Sequence, residues 1–146
     1  MTAGLSSDPL IEFAGCSVLE AGPSRAVASQ AQAPELSNHV GARHAGALFT
    51  VGYAASRALV KAALEAEGED LEAQMSEAEV VYEKVVMAGT VAATAEPAGD
   101  WAQALARVTT DQPGRLQTTV TLRNQSEVMV MVMSVGWDVT REGEAS

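Results

Sequence analysis

The apolar positions of this chain form one long helical run with shorter strand-like runs on either side. From Ala45 to Leu64 only Thr50, Ser56, Arg57 and Lys61 interrupt apolar and small residues, so a narrow polar stripe leaves most of a helix circumference fit for burial. Ala, Leu and Val dominate the run, and they form helix well or tolerably. Upstream, Ser7 and Asp8 precede Pro9, a helix start with Pro at its first position; Leu10, Ile11 and Phe13 then give one short apolar turn that Gly15 ends. Cys16 to Ala21 and Ser24 to Ala33 read as strands joined at Gly22-Pro23. The second alternates weakly, and Pro34 stops it.

Downstream, Glu65 to Glu79 is acidic and poor in aromatic residues, the composition of a solvated helix end and connection. Its carboxylates lack the spacing and glycine of a calcium loop. The β-branched stretch Val80 to Met87, and Thr90 to Ala95 beyond Gly89, predict two strands, or one bent at that glycine. A turn at Pro97-Ala98-Gly99-Asp100 follows. Trp101 to Val108 puts Trp101, Leu105 and Val108 on one side of a short helix, with an extended strand as the alternative. Leu116, Thr118, Val120 and Leu122 alternate with polar residues, a strand with one wet face. After Asn124-Gln125-Ser126, Val128 to Val139 sets Val128, Val130 and Val132 on one face and Met129, Met131 and Met133 on the other. Both faces are apolar, so both are expected to be covered, one by the helix and part of the other by a further subunit. The methionines read as packing, and the end from Arg141 to Ser146 reads as frayed. The whole is an α+β pattern, an antiparallel sheet with one dominant helix in a single domain over residues 1–146.

Charge narrows the possible partners. A formal net charge of −10, with nine scattered basic residues, excludes the clustered Lys and Arg that nucleic acids or anionic membranes require. Twenty helical residues span roughly 30 Å, enough for a bilayer on length alone. Arg57 and Lys61 within an Ala-rich run of modest hydrophobicity argue instead for a helix wrapped by a sheet. The N-terminus carries no basic residue followed by an apolar core, so no secretory signal is read there. The single Cys16 cannot form an internal disulfide and reads as a buried filler in a reducing cytoplasm. One Cys and two His make a zinc site an unexpected one, and neither a Walker loop nor a dinucleotide fingerprint is present.

Polar chemistry gathers where the long helix begins. Asn38 to Phe49 reads NHVGARHAGALF and holds both histidines, His39 and His44. Asn38, Gly41, His44-Ala45-Gly46 and Leu48-Phe49 resemble, in order, the motif of the hotdog-fold acyl-CoA thioesterases of the phenylacetate-pathway branch. There an Asn, a Gly and His-Gly/Ala-Gly open a long helix, with Leu-Phe shortly after. The resemblance implies a hotdog fold, with the sheet curled around the helix and subunits paired as a homodimer or homotetramer with active sites at the interface. It also implies an acyl-CoA or acyl-carrier thioester whose carbonyl lies against the helix N-terminus, and no cofactor. The first backbone N–H groups of a helix lack internal partners and point at any anion that forms nearby. On this resemblance Gly46 permits close approach, Asn38 orients substrate or water, and His44 lines the carbonyl site. From the residues alone, Asn38 and His44 equally well cap and brace the loop.

One position departs from the motif. Seven residues after Gly46 the branch commonly carries an Asp or Glu that acts as nucleophile or general base; here it is Tyr53. A phenol with an ordinary pKa near 10 donates a hydrogen bond more readily than it accepts a proton. Arg57, one turn on, is expected to lower that pKa if buried beside it, and Phe49 and Tyr53 would suit an apolar or aromatic acyl chain. No acidic residue lies between Glu35 and Glu65. A base is therefore sought on a strand, at Glu79 or Glu83, on a partner subunit, or at His39 or His44. Three readings follow: a thioesterase, a non-catalytic hotdog protein that binds an acyl or other apolar ligand, and a structural subunit.

Overall fold

The computed structural model describes residues 8–68 and 70–142; Ser7 of the expected helix start and residues 143–146 of the expected frayed end lie outside them, whereas Arg141 of that end is not frayed but pairs with Leu71 in the sheet. The elements run α1 (Pro9–Phe13), β1 (Cys16–Ala21), β2 (Ala26–Gln30), a 3₁₀ turn (Pro34–Leu36), α2 (Ala45–Glu67), β3 (Leu71–Tyr82), β4 (Val91–Ala98), α3 (Trp101–Ala106), β5 (Gly114–Arg123) and β6 (Met129–Arg141). The six strands form one sheet in the order β1-β2-β4-β5-β6-β3, and every neighbouring pair is antiparallel.

The sheet curls around α2. Val51, Ala55 and Leu59 of the helix and Val120, Leu122, Met131 and Met133 of the strands are fully buried in one core. The helix rests close to the sheet because position 52 is glycine: a Cβ there would stand 2.6 Å from Met133 Sδ. Among the described residues α2 alone is long and apolar enough to cross a membrane, and most of that stretch is buried within the fold. One polar network crosses this core. Trp137 Nε1–H donates to Ser56 Oγ at 2.8 Å, Ser56 Oγ lies 2.8 Å from Thr118 Oγ1, and Thr118 donates to the Val135 carbonyl at 3.4 Å. All three side chains are buried and partnered, as polar groups in an interior must be.

The acidic segment after the helix is mostly strand. The connection ends within a few residues of Glu67, and Leu71–Tyr82 is a long edge strand paired with β6. Leu71, Ala73 and Met75 face the core while Glu72 and Gln74 face out. A register shift between Met75 and Glu77 then resets the phase so that Ala78 and Val80 face in. Alanine is a weak strand signal, and a bulge breaks the two-residue period on which strand recognition rests. The Val80 to Met87 strand is likewise corrected, since β3 ends at Tyr82 and the chain then folds back, with the Val86 carbonyl accepting from Arg43 N–H at 2.6 Å.

The expected turn at Pro97 is also displaced. β4 continues through Pro97 and Ala98, paired with Thr118 and Gln117 of β5. Its other neighbour, β2, pairs only as far as Ala95, so the missing proline N–H falls where no ladder bond is needed. The helix alternative for Trp101 holds: Asp100 caps Gln103 N–H, and Trp101 Nε1–H donates to the Gln117 carbonyl. On β6, Met131, Met133, Val135, Trp137 and Val139 are all buried, whereas on the opposite face Val130 is buried, Val132 half-buried and Asp138 exposed. That outer face is apolar at one end only.

Candidate active site

The site grows from a loop that its own side chains hold rigid. Asn38 Oδ1 accepts the backbone N–H groups of Val40 and Ala42, each at 3.0 Å, and Asn38 N–H donates to the Ala42 carbonyl at 2.7 Å. Gly41 makes the turn possible at φ +81°, a left-handed conformation that costs glycine little. Arg43 is 5% exposed. Its guanidinium donates to Gln30 Oε1 at 2.7 Å and to the Gly89 carbonyl, and Gln30 Nε2 donates in turn to the Ala47 carbonyl at 2.9 Å. Burial lowers the Arg43 pKa, opposed by the nearby Cys16. The loop is thus bolted through Arg43 and Gln30 to the first turn of α2. Cys16 shares this cluster, accepting weakly from Gln30 at 3.7 Å. Burial raises its thiol pKa against the Gln30 hydrogen bond and the Arg43 charge, which favours the protonated filler over a reactive thiolate.

His44 is the N-cap of α2. Its backbone N–H donates to the Leu36 carbonyl at 2.7 Å, and its Nδ1 accepts Gly46 N–H at 2.9 Å. An imidazole that accepts at Nδ1 is neutral and carries its proton on Nε2. In this tautomer Nε2 is the ring's donor, and the Gly46 N–H is occupied. Ala45 N–H, the first of the helix, has no acceptor among the described residues.

Two cavities flank this helix start. One, of about 300 Å³, includes Asn38, Arg43, Ala45, Leu48, Tyr82 and Glu83 in its lining; across its mouth the Tyr82 hydroxyl donates to the Ala45 carbonyl at 3.1 Å. The other, of about 250 Å³, lies against α1 and includes Phe13, Leu36, Glu35, His44, Gly46 and Thr50. Asn38 and His44 therefore open onto opposite sides of one helix terminus, and Gly46 goes with His44.

The remaining expected residues sit further along α2. Phe49 is half-buried against the core and lines neither cavity. Tyr53 is half-buried and stacks on Trp137, with ring centroids 5.9 Å apart and planes 14° from parallel. Burial raises its pKa, the Asp8 charge and hydrogen bond raise it further, and Arg57 lowers it by less. The expected activation by Arg57 is thus outweighed, because desolvation of a phenolate and a carboxylate neighbour act in the opposite direction. Arg57 also borders a separate depression with Val18, Ala21 and Lys61. Glu83 is at the first cavity, whereas Glu79 is exposed on β3 between inward-facing Ala78 and Val80.

Sequence reasoning passed over Glu35 and Asp8. Glu35 is carried to the second cavity by the 3₁₀ turn, and its signal was Pro34 beginning that turn. Asp8 was read only as a helix cap, and it is one, accepting Leu10 and Ile11 N–H; no local pattern foretells its contact with Tyr53. Among the described residues no three His, Cys, Asp or Glu side chains converge to hold a metal ion.

A sheet curled around one long helix, with a polar loop feeding the helix N-terminus, defines the hotdog fold. Solved structures bear this likeness. A thioesterase of Haemophilus influenzae is 15% identical, with 97% of this chain and 90% of that one aligned at a TM-score of 0.78. A hypothetical thioesterase protein of Streptococcus pneumoniae, determined with coenzyme A, is 16% identical over 87% of each chain at 0.69. The PaaI protein of the Escherichia coli phenylacetic acid degradation operon is 19% identical over 94% and 86% at 0.66. A sequence comparison with curated proteins gives no match. Residues 7–139 match the family described as domain of unknown function DUF4442, and the chain belongs to that family.

Proposed function

We propose that this protein is a thioesterase that hydrolyses an acyl-CoA or acyl-carrier thioester. The observation that carries the reading is that His44 and Gly46, at the N-terminus of α2, line a cavity with apolar walls. It is supported by a fold shared with thioesterases, one of them determined with coenzyme A. The thioester carbonyl lies at the helix start, where developing negative charge meets the Nε2–H of His44 and the positive end of the helix dipole. Loss of one such donor in comparable acyl transfer costs about 3 kcal/mol. Asn38 acts by holding the loop that presents these groups, and Tyr53 and Arg57 by shaping the surface beyond them. The working unit is a cytoplasmic homodimer or homotetramer. The long edge strand β3 and the exposed Val81, Val85, Met87 and Met129 support association.

A second reading, a hotdog protein that binds an acyl group without hydrolysis, is favoured by one observation: Gly46 N–H already has an acceptor in His44 Nδ1. Thiol release from short, long and aromatic acyl-CoA thioesters, measured with wild type and His44→Ala, separates the two. Turnover in the wild type that falls at least tenfold in a folded variant supports the thioesterase. An inactive wild type that binds the same thioesters tightly supports the binding protein.

A further inference from the structure

Hydrolysis at this helix start needs a group to take a proton from the attacking water, and the first turns of α2 carry no carboxylate. The described carboxylates near the site differ in how fully they are engaged. Asp8 gives one oxygen to the N–H groups of α1 and interacts with Tyr53. Glu83 faces the other cavity, from which Gly46 is absent, and Glu79 stands on the outer side of β3. Glu35 alone lines the cavity of His44, Gly46 and Thr50. Its carboxylate has no hydrogen bond or ion pair among the described residues.

Backbone contacts fix where Glu35 stands. Pro34 starts the 3₁₀ turn, Ser37 N–H closes it onto the Pro34 carbonyl at 3.1 Å, and the next carbonyl after Glu35, that of Leu36, accepts His44 N–H at 2.7 Å. The turn carrying the carboxylate is thus tied to the residue that caps the helix. The same cavity has apolar walls in Leu10, Phe13, Leu36 and Ala47. Phe13 and Leu10 are 77% and 57% exposed at its edge, which suits an apolar acyl chain that covers them.

We propose that Glu35 is a catalytic residue of this protein, the general base that activates water in the cavity between α1 and the start of α2. The inference rests on the thioesterase reading. In the reaction Glu35 removes a proton from water as its oxygen bonds to the carbonyl carbon, and the carbonyl electrons move to the oxygen held at the helix start. When the oxyanion collapses, the carbon–sulfur bond breaks and the departing thiolate takes the proton from Glu35. One thioester and one water give one carboxylic acid and one thiol, and the carboxylate of Glu35 is regenerated.

The test is the pH dependence of thiol release by wild type, Glu35→Gln, Glu35→Asp and Glu79→Gln, using the best acyl-CoA substrate from the panel above. Glu35→Gln is expected to lower kcat by about 10²–10⁴-fold with KM changed less than threefold and the acid limb of the profile gone. Glu35→Asp recovers part of the rate, and Glu79→Gln behaves as wild type. An active wild type whose rate and acid limb survive in Glu35→Gln overturns the assignment and leaves the thioesterase reading standing. A wild type inactive on the whole panel overturns both.

Discussion

Replacing Ser56 with alanine tests how the core supports the site. Ser56 Oγ is the acceptor for Trp137 Nε1–H at 2.8 Å, and both residues are essentially inaccessible to water. The substitution leaves that N–H without a partner. A buried donor stripped of its acceptor costs about 1–3 kcal/mol. Thr118 loses little, because it keeps its bond to the Val135 carbonyl. Alanine returns about half a kcal/mol of helix propensity, so the net loss is about 0.5–2.5 kcal/mol, or a fall in Tm of about 1–10 °C for a chain of this size. Urea denaturation and calorimetry measure both. Trp137→Phe removes the orphaned donor, so its cost in the Ser56→Ala background should be smaller than in the wild type by at least about 0.5 kcal/mol. Because Trp137 stacks on Tyr53, Ser56→Ala should also broaden the near-ultraviolet aromatic signal. A Ser56→Ala protein as stable as the wild type, or additive single and double variants, would refute the network as a stabilising unit.

Arg43→Met removes a buried charge but leaves Gln30 Oε1 and the Gly89 carbonyl without their donor. We predict a loss of about 2–4 kcal/mol in chemical denaturation, and faster amide exchange across residues 38–47 than in the wild type. Unchanged exchange there would mean that the loop is held by other contacts. Asp70 pairs with Arg141, whose Nε also donates to the Val108 carbonyl; the Arg141 hydrogen bond holds the Asp70 carboxyl below its ordinary value. A lowered folded-state pKa gives stability that is present above the ordinary aspartate range near pH 4 and lost as pH falls through the lowered value. Asp70→Asn should therefore destabilise at pH 6–7 and match the wild type in strong acid; an equal difference at both ends would argue against the linkage.

Legibility in the sequence followed the strength of the local signal. The apolar run from Ala45 set α2, because twenty residues with few polar breaks have one cooperative solution. The alternation from Leu116 to Leu122 set β5, and Asp8-Pro9 set the start of α1. β3 escaped because its inward face is built largely from alanine and its period is broken between Met75 and Glu77. The motif from Asn38 to Phe49 pointed to the helix terminus, since a chain can advertise an N-terminus locally. The bonds from Gly46 N–H to His44 Nδ1 and from Val40 and Ala42 N–H to Asn38 Oδ1 are local, but what anchors the loop and which carboxylates stand near the helix are decided by contacts between distant segments. Arg43 meets Gln30 and Gly89, Tyr53 meets Asp8 and Trp137, and Glu35 meets the His44 cavity. By itself the sequence determined a long buried helix, an antiparallel sheet and a polar loop between them. Only the tertiary structure decided which side chains that loop faces, because their separation in sequence leaves no period or spacing to read, and their meeting depends on how the sheet closes around α2.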